Sequence, residues 1–298
     1  MRPLHHLRAA LPGLLALACA PLAACTDEPP AGPPDVTTGA YHTYAQTGWI
    51  LPHNASEART VGADLDGDGV IDNQAGSLIG SLIGLGLDLD GASAAAFSDG
   101  DVVALHRVRA DSLVTDGSIE WTTYDGQPTA APPRFDGTDH LDVLARTGRL
   151  IGLVRDGRAE LDWGDATISM PFFPDQSPLR LPLTGARMTM YVDGAGCAAR
   201  IVGAIPEVEI DGLVLPDLAM ELIIHIARHP DHPFTPIAMQ VFDTNKDGKL
   251  TVDEVLATPV ARGLFSPDLD TDGDGVDDAM SFGASFECVP ATFTPPEP

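Results

Sequence analysis

The amino-acid sequence predicts an α+β fold, in which an antiparallel β sandwich or open barrel is followed by a C-terminal helical segment that returns to the sheet. From about residue 101 to residue 205, apolar and polar side chains alternate with the period of half-buried strands. Asp-Gly pairs at 156–157 and 193–194 interrupt this pattern, as is typical of tight hairpins between antiparallel strands. No helix of crossover length separates the strands, whereas residues 216–229 are apolar around most of a helical circumference.

Residues 1–24 are predicted to be a signal peptide. Arg2 and Arg8 flank the start of an apolar run that is shorter than the ~20 residues of a membrane-spanning helix. The following Leu22-Ala-Ala-Cys25 resembles the lipobox of bacterial lipoproteins. This resemblance implies a lipid on Cys25, a place in the cell envelope at the outer membrane or bacterial surface, and no other membrane contact. Secretion with cleavage near Ala24, without a lipid, is the alternative.

The remaining chain is divided into three predicted parts. Residues 25–56 are rich in proline and small polar residues, and they predict a disordered tether without its own core. Residues 57–205 predict a β-rich body that opens with an acidic loop and a short helix. Residues 206–298 predict a helical segment with two further acidic loops and a final strand at about 281–289.

The chain carries a formal charge of −26, which becomes −28 once Arg2 and Arg8 leave with the signal peptide. This acidity argues against nucleic acid and against anionic lipid headgroups as partners, and it favours divalent cations. Two of the four cysteines, Cys197 and Cys288, remain after Cys19 and Cys25 are assigned to the signal and the lipid. They predict one disulfide, with two separate buried thiols as the alternative.

The clearest motif is a twelve-residue loop at 243–254. Oxygen-bearing residues stand at alternate positions, and Gly248 occupies position 6, where the chain must turn sharply. This is the EF-hand pattern, and it predicts Ca²⁺ ligands at positions 1, 3, 5, 7, 9 and 12: Asp243, Asn245, Asp247, the Lys249 carbonyl, Thr251 and the bidentate Glu254.

Two further acidic loops share the first half of this spacing. The first has Asp64, Asp66, Asp68 and Asp72 at positions 1, 3, 5 and 9, but position 12 is alanine. Its spacing resembles the aspartate-rich calcium repeats of thrombospondin type 3. The other has Asp270, Asp272, Asp274 and Asp278 at the same positions, and a register that starts at Asp268 is the alternative. Both loops predict Ca²⁺ ligands.

Neither the histidines nor any nucleophile motif supports a particular enzyme chemistry, so a binding protein is favoured over an enzyme. His225 and His229 have the spacing of a zinc protease motif and His232 lies nearby, but Ile226 stands where that motif carries its glutamate. Solvated histidines are therefore the expectation, and a bound zinc is the alternative. The sequence contains no Gly-x-Ser-x-Gly elbow, phosphate-binding loop or dinucleotide fingerprint.

Together the acidic loops, Gly203-Ala-Ile-Pro206 and Asp278-Ala-Met-Ser-Phe-Gly283 resemble a group of uncharacterised secreted bacterial EF-hand lipoproteins. This resemblance implies location and calcium but no activity. We expect a lipid-anchored extracytoplasmic protein whose calcium is mainly structural and whose surface binds an unknown polymer or protein. A calcium-dependent extracellular hydrolase and a calcium sensor are the alternatives.

Overall fold

The computed structural model describes Val36, residues 38–174 and residues 176–294, apart from the side chain of Trp163. The predicted signal peptide, the lipidation site Cys25 and the first part of the tether lie outside these residues. All of the described residues belong to one compact unit.

Eight strands form one closed barrel in which each strand is antiparallel to the next. The prediction of a sandwich or an open barrel is therefore wrong. Residues 40–50, which the sequence assigned to the tether, form a strand that pairs with its neighbours on both sides. This pairing removes the unpaired edges of an open sheet. The strands are β1 Ala40–Ile50, β2 Ala104–Ala110, β3 Asp116–Pro128, β4 Leu141–Arg155, β5 Arg158–Met170, β6 Leu179–Asp193, β7 Gly196–Pro206 and β8 Ala279–Pro290.

One end of the barrel consists of short turns. Asp156 and Gly157 connect β4 to β5 with φ angles of 52° and 74°. Positive φ at both central residues is what a two-residue type I′ hairpin requires, so this predicted hairpin is confirmed. Residues 194–195 connect β6 to β7 just as tightly.

The barrel interior is filled by side chains, as expected for a barrel of eight strands. Trp121, Phe282 and Phe286 are fully buried there. The Trp121 ring stacks on Tyr44 at 6.2 Å between centroids, and its Nε1–H donates a hydrogen bond of 3.1 Å to Nδ1 of His106. Burial lowers the pKa of His106 to about 3, so its ring is neutral at physiological pH.

A disulfide joins the last two strands. Cys197 on β7 and Cys288 on β8 are direct register partners with a Cα–Cα distance of 4.9 Å. The predicted disulfide is confirmed, and the alternative of two separate thiols is wrong. Both cysteines lie in the main hydrophobic cluster.

The opposite end of the barrel carries two helical insertions. The predicted C-terminal helical segment is inserted between β7 and β8, so the barrel closes only after it, and a second insertion separates β1 from β2. In an antiparallel barrel these strand ends meet at the same end. The first insertion holds α1 Ala55–Val61, α2 Gln74–Gly84 and α3 Leu89–Asp99; the second holds α4 Glu207–Glu209, a π-helical turn Ile210–Val214, α5 Leu215–Arg228, α6 Phe234–Phe242, α7 Val252–Ala257 and α8 Pro259–Leu264.

Helix ends follow local sequence signals. The Asn73 side chain caps α2 by accepting a hydrogen bond from the Gly76 N–H. Pro216 stands in the first turn of α5, where proline is favoured. Within the described part of the chain, no single helix is long and apolar enough to cross a membrane; only the sharply bent pair α2 and α3 meets that length and composition together.

Candidate functional site

The three acidic loops all lie in the helical insertions. Loop 1 (residues 64–75) connects α1 to α2, and loop 2 (residues 243–254) connects α6 to α7. Loop 3 (residues 270–281) follows α8 and runs into β8. Every predicted metal ligand therefore lies at the end of the barrel that carries the helical insertions, called here the loop-bearing end.

The backbone turns in the same way in all three loops. The position-1 carboxylate accepts the backbone N–H of the position-6 glycine, at 3.1 Å for Asp64, 2.9 Å for Asp243 and 2.7 Å for Asp270. The three glycines, Gly69, Gly248 and Gly275, have φ angles of 88°, 79° and 89°. A side chain with a Cβ disfavours this region, so glycine is required here.

Loops 1 and 3 match beyond this shared turn. A second oxygen of the position-1 carboxylate accepts the N–H of Gly67 in loop 1 and of Gly273 in loop 3, at 2.6 and 2.8 Å. The position-9 carboxylates, Asp72 and Asp278, each accept the N–H of the residue after position 1, both at 3.0 Å. In loop 3 the backbone N–H groups of Gly273 and Gly275 therefore both point to Asp270.

Carboxylate oxygens converge in these two loops. Asp64, Asp66 and Asp72 in loop 1, and Asp270, Asp272 and Asp274 in loop 3, each offer oxygens that lie within 4.8 Å of one another. Each triad could hold a metal ion. Asp68 in loop 1 accepts the Val70 N–H, as Asp274 in loop 3 accepts the Val276 N–H. The Asp278 carboxylate accepts hydrogen bonds from the N–H and hydroxyl of Thr271.

Loop 2 shares the hydrogen bonds of the first half of loop 3 but closes differently. Among the described residues, no three carboxylates converge in loop 2, where position 3 is the amide Asn245 rather than an aspartate. Oε2 of Glu254 accepts from the N–H and hydroxyl of Thr251, and this capping box starts α7. Oε1 of Glu254 is buried and has no hydrogen-bond partner in the described part of the chain. The Asn245 side chain accepts the Asp247 N–H, and the Lys249 N–H donates to Asp247.

A buried serine on β8 links loops 1 and 3. The Ser281 hydroxyl accepts the Gln74 N–H at the end of loop 1 and donates to Asp268 beside loop 3, at 2.7 and 2.6 Å. The neighbouring Asn73 amide donates to the Gly283 carbonyl on the same strand. Gln74 is 207 residues away from Ser281 in the chain, so this link depends on the tertiary structure.

The proximity of loops 1 and 3 has an electrostatic cost. Burial raises the pKa of Asp72, and the negative charges of Asp66, Asp268 and Asp68 raise it further. Burial also raises the pKa of Asp268, with an added contribution from Asp277. Both shifts mean that the ionised carboxylates are disfavoured here, and a bound cation would reverse that preference.

No protein-family model, no curated protein and no solved structure matches this chain.

Proposed function

We propose that this chain is a calcium-binding protein of the bacterial cell envelope, in which Ca²⁺ stabilises the loop-bearing end of a packed β barrel. The observation that carries the proposal is the presence of a converging carboxylate triad in each of loops 1 and 3. Ligand sets made only of oxygen suit hard cations such as Ca²⁺ and Mg²⁺ rather than zinc or copper.

Calcium suits these loops better than magnesium. Ca²⁺ accepts six to eight oxygen ligands in a flexible arrangement, whereas Mg²⁺ demands near-ideal octahedral geometry. Each loop offers four acidic or amide side chains at positions 1, 3, 5 and 9 or 12, and backbone carbonyls and water can complete the shell. Loop 2 supports the same assignment because its sequence carries the bidentate closing glutamate, Glu254.

The effect we expect from calcium is structural. Loops 1 and 3 are tied to the same strand through Ser281, so a cation in either loop stabilises the junction of the helices with the barrel. Cations also offset the repulsion that raises the pKa of Asp72. Since the barrel interior is filled by side chains, the surface rather than the interior would contact an envelope polymer or protein, with the lipid on Cys25 as anchor.

Thermal unfolding of the full chain in millimolar calcium and in chelator tests the proposal. A site whose ligand is present at ten times its dissociation constant contributes about 1.4 kcal/mol, which is roughly 3–6 °C in Tm for a protein of this size. We expect the combined Asp64→Asn and Asp270→Asn variant to lose most of this shift. Asp162→Asn, at an exposed aspartate on β5, is the control and should keep it. An unchanged Tm in calcium would refute the proposal.

A further inference from the structure

Three histidines surround a cavity that lies apart from the acidic loops. His225 is in the last turn of α5, His229 ends that helix, and His232 follows it by three residues. They line a cavity of about 310 Å³ whose other walls are the start of α3 and the β5–β6 connection. Asp88, which caps α3, brings a carboxylate to the same cavity.

The His225 side chain is buried, and its ring has no hydrogen-bond partner among the described residues. Only 4% of the residue is exposed, and neither Nδ1 nor Nε2 has a partner in the described structure. Phe173 packs against its ring at 4.7 Å between centroids, which holds the ring in place. A buried polar atom without a partner costs about 1–3 kcal/mol, so such atoms usually contact water, an ion or a ligand.

The backbone holds the three histidines close together. The N–H of His229 donates to the His225 carbonyl at 2.8 Å, and the N–H of His232 donates to the His229 carbonyl at 3.0 Å. The Thr235 hydroxyl also donates to the His229 carbonyl, at 2.9 Å. Because the backbone is fixed, the positions of the three rings relative to one another depend mainly on the rotation of their side chains.

The ring spacing agrees with that of imidazoles on one metal ion. The centroid of His225 lies 4.9 Å from that of His229 and 5.0 Å from that of His232. Rings that bind a tetrahedral ion through nitrogens at 2.0–2.1 Å have centroids about 5 Å apart. The rings of His229 and His232 thus each lie at a distance from the His225 ring that suits binding to the same metal ion.

We propose that His225, His229 and His232 bind one divalent transition-metal ion of the zinc class in this cavity. Imidazole nitrogen suits Zn²⁺, Cu²⁺ and Ni²⁺, and three histidines leave a fourth position open to water or to an added ligand. The carboxylate of Asp88 supplies negative charge across the cavity. The oxygen ligands of loops 1 to 3 select a different class of ion, so this site is independent of the proposed calcium sites.

Binding requires rearrangement of two side chains. The ring nitrogens of the three histidines do not all lie within 4.8 Å of one another among the described residues. His229 is exposed and His232 is half-buried, so both rings can rotate towards the rigid His225. Nδ1 of His232 accepts the Phe234 N–H at 3.2 Å, and this bond is given up whichever nitrogen of His232 binds the ion.

The test is a calorimetric titration of the full chain with Zn²⁺, in protein purified without a histidine tag and with saturating calcium to occupy the acidic loops. We expect one zinc site per chain. His229→Gln and His232→Gln should each weaken zinc binding at least about tenfold, since loss of even an outer partner of a metal ligand has that effect. Visible absorption of the Co²⁺-loaded protein should show the strong bands of tetrahedral coordination.

His140→Gln is the matched control, because His140 is also exposed but does not line this cavity. Its zinc affinity should equal that of the unchanged chain. His229 and His232 are not buried, so their variants test the site even if a His225→Ala variant fails to fold. Absence of zinc binding, or equal affinity in the two variants and the control, would overturn the proposal.

Discussion

Loops 1 and 2 make the same turn around a position-6 glycine, yet they are attached to the molecule in different ways. Loop 1 is fixed to β8 through Asn73 and the Ser281 hydroxyl, and loop 3 shares the second of these attachments through Asp268. Loop 2 connects two helices, and its closing glutamate is held in the capping box of α7. The difference indicates that loops 1 and 3 share a buried attachment to the barrel, whereas loop 2 is closed by a residue of its own exiting helix.

This contrast leads us to expect different consequences of cation binding. In loops 1 and 3 the carboxylates already converge, so binding needs little rearrangement and stabilises the junction with the barrel. In loop 2 the Glu254 carboxylate must leave Thr251 before both of its oxygens can face a cation. Calcium in loop 2 should therefore stabilise mainly α6 and α7.

The largest expected effect concerns the Cys197–Cys288 disulfide, which closes a 91-residue loop containing loops 2 and 3 but not loop 1. Replacing both cysteines by alanine should lower the free energy of unfolding by about 4 kcal/mol, because the unfolded chain regains entropy. Urea unfolding with calcium and with chelator measures this. If loop 1 is attached independently, the calcium-dependent part of the stability should survive the replacement.

Ser281→Ala should destabilise the protein by roughly 2–4 kcal/mol, because it leaves the Gln74 N–H without its acceptor and removes a donor from the half-buried Asp268. Urea unfolding in calcium is again the measurement. Ser98→Ala removes an exposed helical hydroxyl and serves as control, with an expected change within about 0.5 kcal/mol. Equal effects at the two serines would contradict the role given to Ser281.

Glu221 is expected to make the stability of the protein depend on pH, separately from the acidic loops. Burial, and then the charge of Asp217, raise the pKa of Glu221 from 4.5 to about 7, and one of its oxygens has no partner in the described structure. Because the folded pKa is raised, the stability contribution is full below pH 4.5 and is lost as the pH rises towards 7. Arg228 lines the same cavity as Glu221 and Asp217.

Glu221→Gln should remove this pH dependence, on the order of 2 kcal/mol after allowance for partial solvent exposure. Thermal melts in chelator between pH 4.5 and 8 measure it. The variant should gain stability relative to the unchanged chain at pH 8 but not at pH 4.5. Any decline with rising pH that persists in the variant would then be assigned to Asp72 and Asp268, whose pKa values are also raised.

The smallest expected effect is the loss of calcium stabilisation when one ligand is removed from loop 1 or from loop 2. Asp64→Asn in loop 1 should remove about 1.4 kcal/mol of calcium stabilisation when calcium is at ten times its dissociation constant. Asp243→Asn in loop 2 should change the global unfolding less, because the helices it supports contact the barrel less directly. Hydrogen exchange of α6 and α7 should report the loop 2 effect. A larger global loss from Asp243→Asn would reverse the comparison.

Local sequence predicted the elements but not their closure into a barrel. Helix α5, the final strand and the 156–157 hairpin were expected at nearly their observed positions, because caps, prolines and turn residues act within a few residues. Strand β1 was not expected, since its partners β2 and β8 are distant in sequence and its own alternation is short. The attachment of loop 1 to β8 also depends on contacts between residues more than 200 positions apart, which no spacing shows.

The sequence by itself determined the ligand spacing of the loops, the glycine turns within them and the pairing of Cys197 with Cys288. Only the tertiary structure decided that the sheet closes, that Ser281 joins loops 1 and 3, and that His225 is buried beside two other histidines. The physical reason is one of range. Turns and caps are stabilised by hydrogen bonds within a few residues, whereas barrel closure and shared buried partners require contacts between segments separated by long loops.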